Sequence, residues 1–304
     1  MQVELLTAAA EDGARVSYAD VGTGRPVVFV GGFGEDASSA YRLIETLSPS
    51  FRVVTFEHRG YGKSELTADA CVQRSARDLR NLIETLDLQD VALVGYSMGG
   101  SVAFSYVEQF GVERLNRLVL ADTAPKLINE NGWNLGLWQG RYTRADFDRD
   151  LETIVDNPSL FHLSFYARAA TKTLYDADVS GLFPPNDDQE GWTGYVAKLT
   201  NLRESFVKRI FAYRMTDEQK ACERRYWETM TGGDWLNILP KISVPTLCLY
   251  ADPGSFYYYA TAEYMAEQIP NAETSAIPNA SHCCLKENLD DFASKIGDFC
   301  LRTL

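Results

Sequence analysis

Short apolar runs bounded by Gly- and Pro-bearing turns alternate, along most of this chain, with longer segments whose apolar residues recur at helical spacing. The pattern predicts strands over residues 26–30, 51–56, 91–94, 117–121, 244–250 and 273–277. Helices are expected over residues 40–47, 69–86, 260–268 and 289–301, the second with Ala76, Leu79, Ile83 and Leu86 on one face. An opening hairpin is expected from residues 3–6 and 16–18, turning near Asp12-Gly13. The later strands are continuous apolar runs instead of alternating ones, so both of their faces should be buried. That reads as an α/β fold with a mostly parallel sheet between two helical layers.

Residues 125–240 break the rhythm. They hold all five tryptophans and nearly half of the aromatic residues, and read as helices joined by loops such as Phe183-Pro184-Pro185-Asn186. The expected organisation is therefore a core in two parts, 1–124 and 241–304, with a helical insertion at 125–240 between them. Most of the insertion's aromatics should pack a core of its own; the rest should line an apolar pocket between insertion and sheet.

The stretch with the clearest chemistry is Gly95-Tyr96-Ser97-Met98-Gly99. The apolar run Val91-Ala92-Leu93-Val94 precedes it, and small and apolar residues at helical spacing follow it. A serine at such a strand-to-helix turn can be held in a strained conformation with its hydroxyl raised above the sheet, and flanking glycines let strand and helix approach closely. The pentapeptide alone is a weak signal; its flanks make it specific.

With those flanks, the chain resembles the α/β-hydrolase family over nearly its whole length outside the middle third. The resemblance implies an eight-stranded sheet, a helical cap inserted after the sixth strand, and Ser97 as nucleophile. A serine hydroxyl needs a base to take its proton as it attacks, and the chain has three histidines. His58, in Phe56-Glu57-His58-Arg59-Gly60-Tyr61-Gly62, matches a family motif whose residue there faces away from the reaction. His162 lies in the cap among Phe161, Leu163 and Phe165 and is expected to pack or to titrate at a surface. His282 follows the last core strand, where the family's base stands. The family's oxyanion hole maps onto the backbone N–H groups of Met98 and Phe33. Where the family usually has His-Gly before the second donor, this chain has Gly31-Gly32, which keeps the donor and drops an ordering side chain.

The acid is left open between two residues. The family commonly places it in Gly-x-x-Asp after the seventh strand; here Ala251-Asp252-Pro253-Gly254 puts Asp252 two positions too early. Some members take it from the end of the sixth strand, where Asp122 stands. Asp122 is favoured, with Asp252 the alternative; its other role would be a turn residue before Thr123-Ala124-Pro125. Either gives the order Ser, Asp, His.

Composition narrows the remaining choices. A net charge of −13 opposes nucleic acid and anionic membrane as partners. No apolar run approaches a membrane span, and the N-terminus does not read as a signal peptide, so a cytoplasmic location with six reduced cysteines is expected. The cysteines lack metal-site spacing, and no metal or cofactor is expected. Gly31-Gly32-Phe33-Gly34 lacks the spacing of a dinucleotide loop. A halide-releasing enzyme of the same fold would carry aspartate where Ser97 stands.

The resulting expectation is a serine hydrolase, a monomer or homodimer. It would cleave a small apolar carboxylic ester, or a related acyl compound, through an acyl-enzyme on Ser97. The alternatives are an acyltransferase or carbon–carbon hydrolase with the same constellation, and a small-molecule receptor whose cap closes over a ligand.

Overall fold

A computed structural model describes residues 3–170, 214–254 and 256–302. Eight strands form one sheet: β1 (Leu6–Ala9), β2 (Arg15–Val21), β3 (Pro26–Val30), β4 (Arg52–Phe56), β5 (Val91–Tyr96), β6 (Leu115–Ala121), β7 (Thr246–Pro253) and β8 (Ala272–Ala280). Their spatial order is β1-β2-β4-β3-β5-β6-β7-β8. β1–β2 and β2–β4 pair antiparallel, and every later pair is parallel. The continuous apolar runs at β3, β5 and β6 are thus buried on both sides, as their composition requires.

Helices α1 (Tyr41–Leu47), α2 (Val72–Thr85) and α3 (Met98–Phe110) connect the first parallel strands. Alternate residues of each strand feed separate cores. Val28, Val54 and Leu93 face Leu79, Ile83 and Val102 of α2 and α3. Val27, Phe29, Val94 and Val119 face Leu43 and Ile44 of α1, together with Phe292 and Ile296 of the closing helix α8 (Leu289–Leu301). The chain leaves β3 towards β4 on one side and later returns to β5 on the other. The reversal of direction between β3 and β5 opens a crevice at the carboxyl ends of these strands, where ligands bind in open α/β sheets.

The segment between β6 and β7 contributes α4 (Arg144–Asp156), α5 (Pro158–Ala170) and α6 (Asp217–Thr231). α4 and α6 each begin in a capping box, Thr143 with Asp146 and Thr216 with Gln219. Phe147, Ile154, Phe161, Phe165, Trp227 and Trp235 belong to the same buried cluster as Val28 and Leu93. Among the described residues, then, the insertion's aromatics extend the sheet's core instead of closing a separate one. Phe183-Pro184-Pro185-Asn186 and Trp192 lie outside the described residues. After β7 comes α7 (Tyr259–Gln268).

The element boundaries shift in instructive places. The hairpin's first strand is Leu6–Ala9, later than expected, because pairing to Val16–Tyr18 across Glu11-Asp12-Gly13 sets its register. α2 starts at Val72, since the Cys71 side chain accepts from the Arg74 N–H and caps the helix there. β7 runs past residue 250 to Pro253 by pairing with β8.

Candidate active site

β5 ends at Tyr96, and α3 begins at Met98, so the whole turn is Ser97, at φ 55° and ψ −119°. A non-glycine residue in that region is strained, by roughly 1–3 kcal/mol, and is held there only if its surroundings demand it. The surroundings do. A Cβ at position 95 would stand 2.5 Å from the Gly99 carbonyl oxygen, and one at position 99 would fall on the Val30 carbonyl. The two glycines let α3 back directly against β5 and β3. Parallel pairing sets Tyr96 opposite Ala121, and the Ser97 N–H donates to the Ala121 carbonyl at 3.0 Å.

One residue beyond Ala121, Asp122 has φ 44° and is 3% exposed. Its N–H donates to the Leu249 carbonyl, and its Oδ1 accepts from the Ala251 N–H at 3.2 Å. Its other oxygen, Oδ2, lies 2.5 Å from His282 Nδ1. His282 Nε2 lies 2.8 Å from Ser97 Oγ. A hydroxyl, an imidazole and a carboxylate are thereby joined in one line, with the carboxylate buried and each of its oxygens met by a donor.

The imidazole is clamped on more than one side. The Tyr96 hydroxyl donates to the His282 carbonyl at 2.5 Å, and the Phe256 ring stacks on the imidazole with centroids 3.9 Å apart. Ser281 accepts no role in the relay; its N–H and hydroxyl both donate to Glu287, which shapes the turn carrying His282. Asp252 is exposed on the outgoing end of β7, paired by backbone with Pro278 of β8. Its side chain makes no hydrogen bond or ion pair among the described residues. Of the two candidate acids, the structure brings Asp122 to the imidazole and leaves Asp252 at the surface.

Residues 31–34 arch over the serine from the end of β3. A Cβ at Gly32 would be 3.4 Å from Ser97 Cβ and 3.2 Å from Glu35 Oε2. Met98 is the first residue of α3, so its N–H belongs to the helix's unpaired first turn. Neither its N–H nor that of Phe33 is hydrogen-bonded among the described residues. Two side chains take the ordering role that Gly31-Gly32 lacks. Glu35 reaches back to accept the Gly32 N–H at 3.0 Å and pairs with Lys286 at 3.3 Å. His58 lies beneath the loop, 1% exposed, with Nε2 3.4 Å from the Gly31 carbonyl and Nδ1 3.0 Å from Ser75 Oγ. Burial pushes its pKa down to about 4, so it is neutral near pH 7. The sequence placed neither residue in the site. A carboxylate three positions after a Gly-Gly turn, able to fold back on that turn, was the available signal for Glu35.

Phe33 carries the loop into the insertion. Its ring meets Tyr61, Phe161, Phe165 and Trp227 at 5.5–6.4 Å. His162 is buried with them, stacked on Phe33, with Nε2 2.7 Å from Glu223 Oε2; it is not a surface group. The six cysteines are all free thiols, and burial pushes Cys283, next to His282, up to about 12.

Comparison with known proteins agrees with the fold. Residues 25–289 match the family described as alpha/beta hydrolase fold. The chain belongs to that family. It is 27% identical to a putative non-heme chloroperoxidase of Synechocystis sp., over 88% of each chain. It is also 27% identical to a non-heme haloperoxidase of Rhodococcus erythropolis, over 95% of this chain and 97% of the relative. Among solved structures, an esterase from Exiguobacterium antarcticum superposes with a TM-score of 0.75 at 21% identity, covering 97% of this chain and 99% of its own. A bromoperoxidase from Bacillus anthracis gives a TM-score of 0.76 at 22% identity, with the same coverage. Among the described residues, no helix is long and apolar enough to cross a membrane.

Proposed function

We propose that the protein is a serine hydrolase that cleaves a small carboxylic ester through an acyl-enzyme on Ser97. The observation that carries this reading is the relay Ser97 Oγ–His282 Nε2 at 2.8 Å and His282 Nδ1–Asp122 Oδ2 at 2.5 Å. Asp122 holds the imidazole with its proton on Nδ1, which leaves Nε2 free to accept the serine proton. As Oγ attacks the ester carbonyl, that proton moves to Nε2, and the carbonyl oxygen becomes an oxyanion. The N–H groups of Phe33 and Met98 are the donors that would receive it; each such donor contributes about 2.7–4 kcal/mol to the transition state. The imidazolium then gives its proton to the departing alkoxide, releasing alcohol and leaving the acyl group on Ser97. Water, deprotonated by the same imidazole, attacks the acyl-enzyme and releases the acid.

The insertion at 125–240 serves as the cap in this reading, and Phe161, Phe165 and Trp227 give the pocket an apolar wall beside Phe33. The receptor alternative drew its weight from the missing Gly-x-x-Asp acid; the Asp122 carboxylate at the imidazole supports the hydrolase reading over it. Incubation with a fluorophosphonate should give one covalent adduct per chain, on Ser97, and turnover of p-nitrophenyl acetate or butyrate should vanish in Ser97→Ala. A folded protein that neither labels at Ser97 nor turns over either ester is not a serine hydrolase.

A further inference from the structure

The turn at Leu137–Gly140 stands out among the described residues of the insertion. Trp138 and Gln139 are consecutive non-glycine residues in the left-handed region, at φ 53° and 52°. Paired strain of this kind is retained where the side chains it aims are needed. The turn is bonded directly to the reacting centre. The Gln139 N–H donates to the Phe256 carbonyl at 2.8 Å. The Trp138 ring meets the Phe256 ring edge-on at 4.6 Å, and Phe256 in turn stacks on His282 at 3.9 Å.

Two polar groups at and beside this turn lack a polar partner among the described residues. Gln139 is 93% buried (7% exposed), and its Nε2 has no hydrogen-bond partner among the described residues. A buried donor left without a partner costs stability that a ligand's acceptor would restore. Arg168 of α5 is half-buried, and its guanidinium sits over the Trp138 ring at 4.9 Å. No carboxylate of the described residues lies within ion-pair distance of it. Asp150 is the anion whose field reaches it, but the Tyr142 hydroxyl occupies that carboxylate at 2.7 Å. Burial pushes Asp150 up to about 6 and pushes Arg168 down, so the cation is poorly compensated. The remaining charges near Arg168 are Arg149 and Asp146 of α4, paired with each other.

Arg168 also stands on the relevant face of its helix. Phe161, Phe165 and Arg168 follow one another at spacings of four and three residues, which puts them on one side of α5. Phe165 on that side touches Phe33 of the serine loop at 5.9 Å and Phe256 at 5.2 Å. In a chain of net charge −13, an under-compensated guanidinium at this place runs against the general field of the protein.

We propose that Arg168 and Gln139 form an anion subsite that binds a free carboxylate on the substrate, so that the compound cleaved at Ser97 is a half-ester or lactone of a short dicarboxylic acid. This deepens, and rests on, the reading of Ser97 as an acyl-transfer nucleophile. The guanidinium fork offers two parallel N–H donors to a carboxylate, and the Gln139 amide offers another. Trp138 is the platform that holds the fork in place, and the strained turn fixes that platform against Phe256 and hence against His282. In this reading the substrate would lie along Phe161 and Phe165, with its carboxylate at the Arg168 end. A small neutral ester would use only the aromatic part.

The test separates this subsite from the chemistry. Ser97→Ala protein, which cannot turn over, is titrated by calorimetry with monomethyl glutarate and with methyl pentanoate, its neutral counterpart. The half-ester should bind tighter, and Arg168→Met in the same background should erase the preference, raising the dissociation constant for the half-ester by about tenfold or more, the worth of a charge-assisted bidentate contact. Arg168→Lys should recover part of it, and Gln139→Met should lose a smaller part. In the Ser97-intact protein, the ratio of kcat/KM for mono-p-nitrophenyl glutarate over p-nitrophenyl pentanoate should fall with Arg168→Met in the same proportion. Equal binding of the two ligands to the Ser97→Ala protein overturns the subsite, as does a preference that survives Arg168→Met. If Arg168→Met does not fold, the first comparison and Gln139→Met still decide. Fluorophosphonate labelling reports on Ser97 independently, so loss of the hydrolase reading and loss of the subsite are told apart.

Discussion

Replacing Asp122 by Asn is the sharpest perturbation of the proposed relay. Asn keeps the volume and keeps Oδ1 as the acceptor for the Ala251 N–H, so the end of β6 should hold its backbone path. What changes is the atom facing His282 Nδ1, now 2.5 Å from a carboxylate oxygen. An amide N–H2 there demands an acceptor, so Nδ1 must give up its proton and Nε2 must carry it. A protonated Nε2 cannot take the proton of Ser97 Oγ, 2.8 Å away. In the Ser-His-Asp template this tautomer error alone lowers kcat about 10⁴-fold, which corresponds to roughly 5.5 kcal/mol of lost transition-state stabilisation.

The same substitution at Asp252 is the control. That side chain is exposed and bonded to nothing described, so Asp252→Asn should leave kcat within about twofold of wild type, as surface changes remote from the reacting groups do. Both variants are assayed for kcat and kcat/KM on p-nitrophenyl butyrate, with thermal melts to show that each is folded. An Asp122→Asn protein within tenfold of wild type, or an Asp252→Asn protein that falls by orders of magnitude, refutes the assignment of the acid.

Three further outcomes follow from the site. Glu35→Ala frees the Gly32 N–H and the Lys286 ammonium together; kcat should drop about tenfold or more with KM little changed, and Glu35→Gln, which can still accept from Gly32, should recover most of the loss. Ser97→Gly relieves a backbone that L-residues resist at φ 55°, so the inactive variant should melt above wild type, by about 1 kcal/mol after the added chain entropy is offset. His58 has its pKa pushed from 6.5 to about 4, so the unfolded chain binds the extra proton between those values. Wild-type stability should therefore fall, relative to His58→Gln, as pH drops from 6.5 to 4, by up to about 3 kcal/mol in total. Denaturant titrations at pH 7, 5.5 and 4 check this, and parallel pH profiles for the two proteins would count against it.

Much of the fold was legible because hydrophobic runs carry it. The apolar run of β3 is bounded by Arg25 and Gly31, and its strand fell where expected, as did the closing helix. The elbow was legible because glycine and serine are needed there for steric reasons that neighbouring residues reveal. What escaped depends on contacts between distant parts of the chain. The packing of the insertion's aromatics into the sheet's own cluster requires knowing that α5 and α6 cross over Phe33. The ordering of the serine loop by Glu35 and His58 depends on a fold-back and on the end of the neighbouring strand β4, neither of which has a period. For His162 the packed alternative is the one realised, and its partner was not legible because Glu223, 2.7 Å away, lies 61 residues later.

The proposed acid shows why a motif can fail where geometry does not. Asp122 and Ser97 sit at the same level because β5 and β6 pair in register, Tyr96 with Ala121, so each chain leaves the sheet one residue later at the same height. β7 pairs with β6 through Leu249 and Ala121, which brings Leu249 and Ala251 to the carboxylate as backbone partners instead of as carriers of the acid. An imidazole arriving from beyond β8 must cross β7 to reach the serine, and in doing so it passes over the end of β6 as well. Either strand end can therefore present a carboxylate to Nδ1. The requirement is one buried acceptor within reach, with its second oxygen held by a backbone donor. Asp122 meets it through the Ala251 N–H, while Asp252, two residues too early for the usual pattern, points its carboxylate to solvent. The strand that supplies the acid is free to vary; the position of the acceptor relative to the imidazole is not.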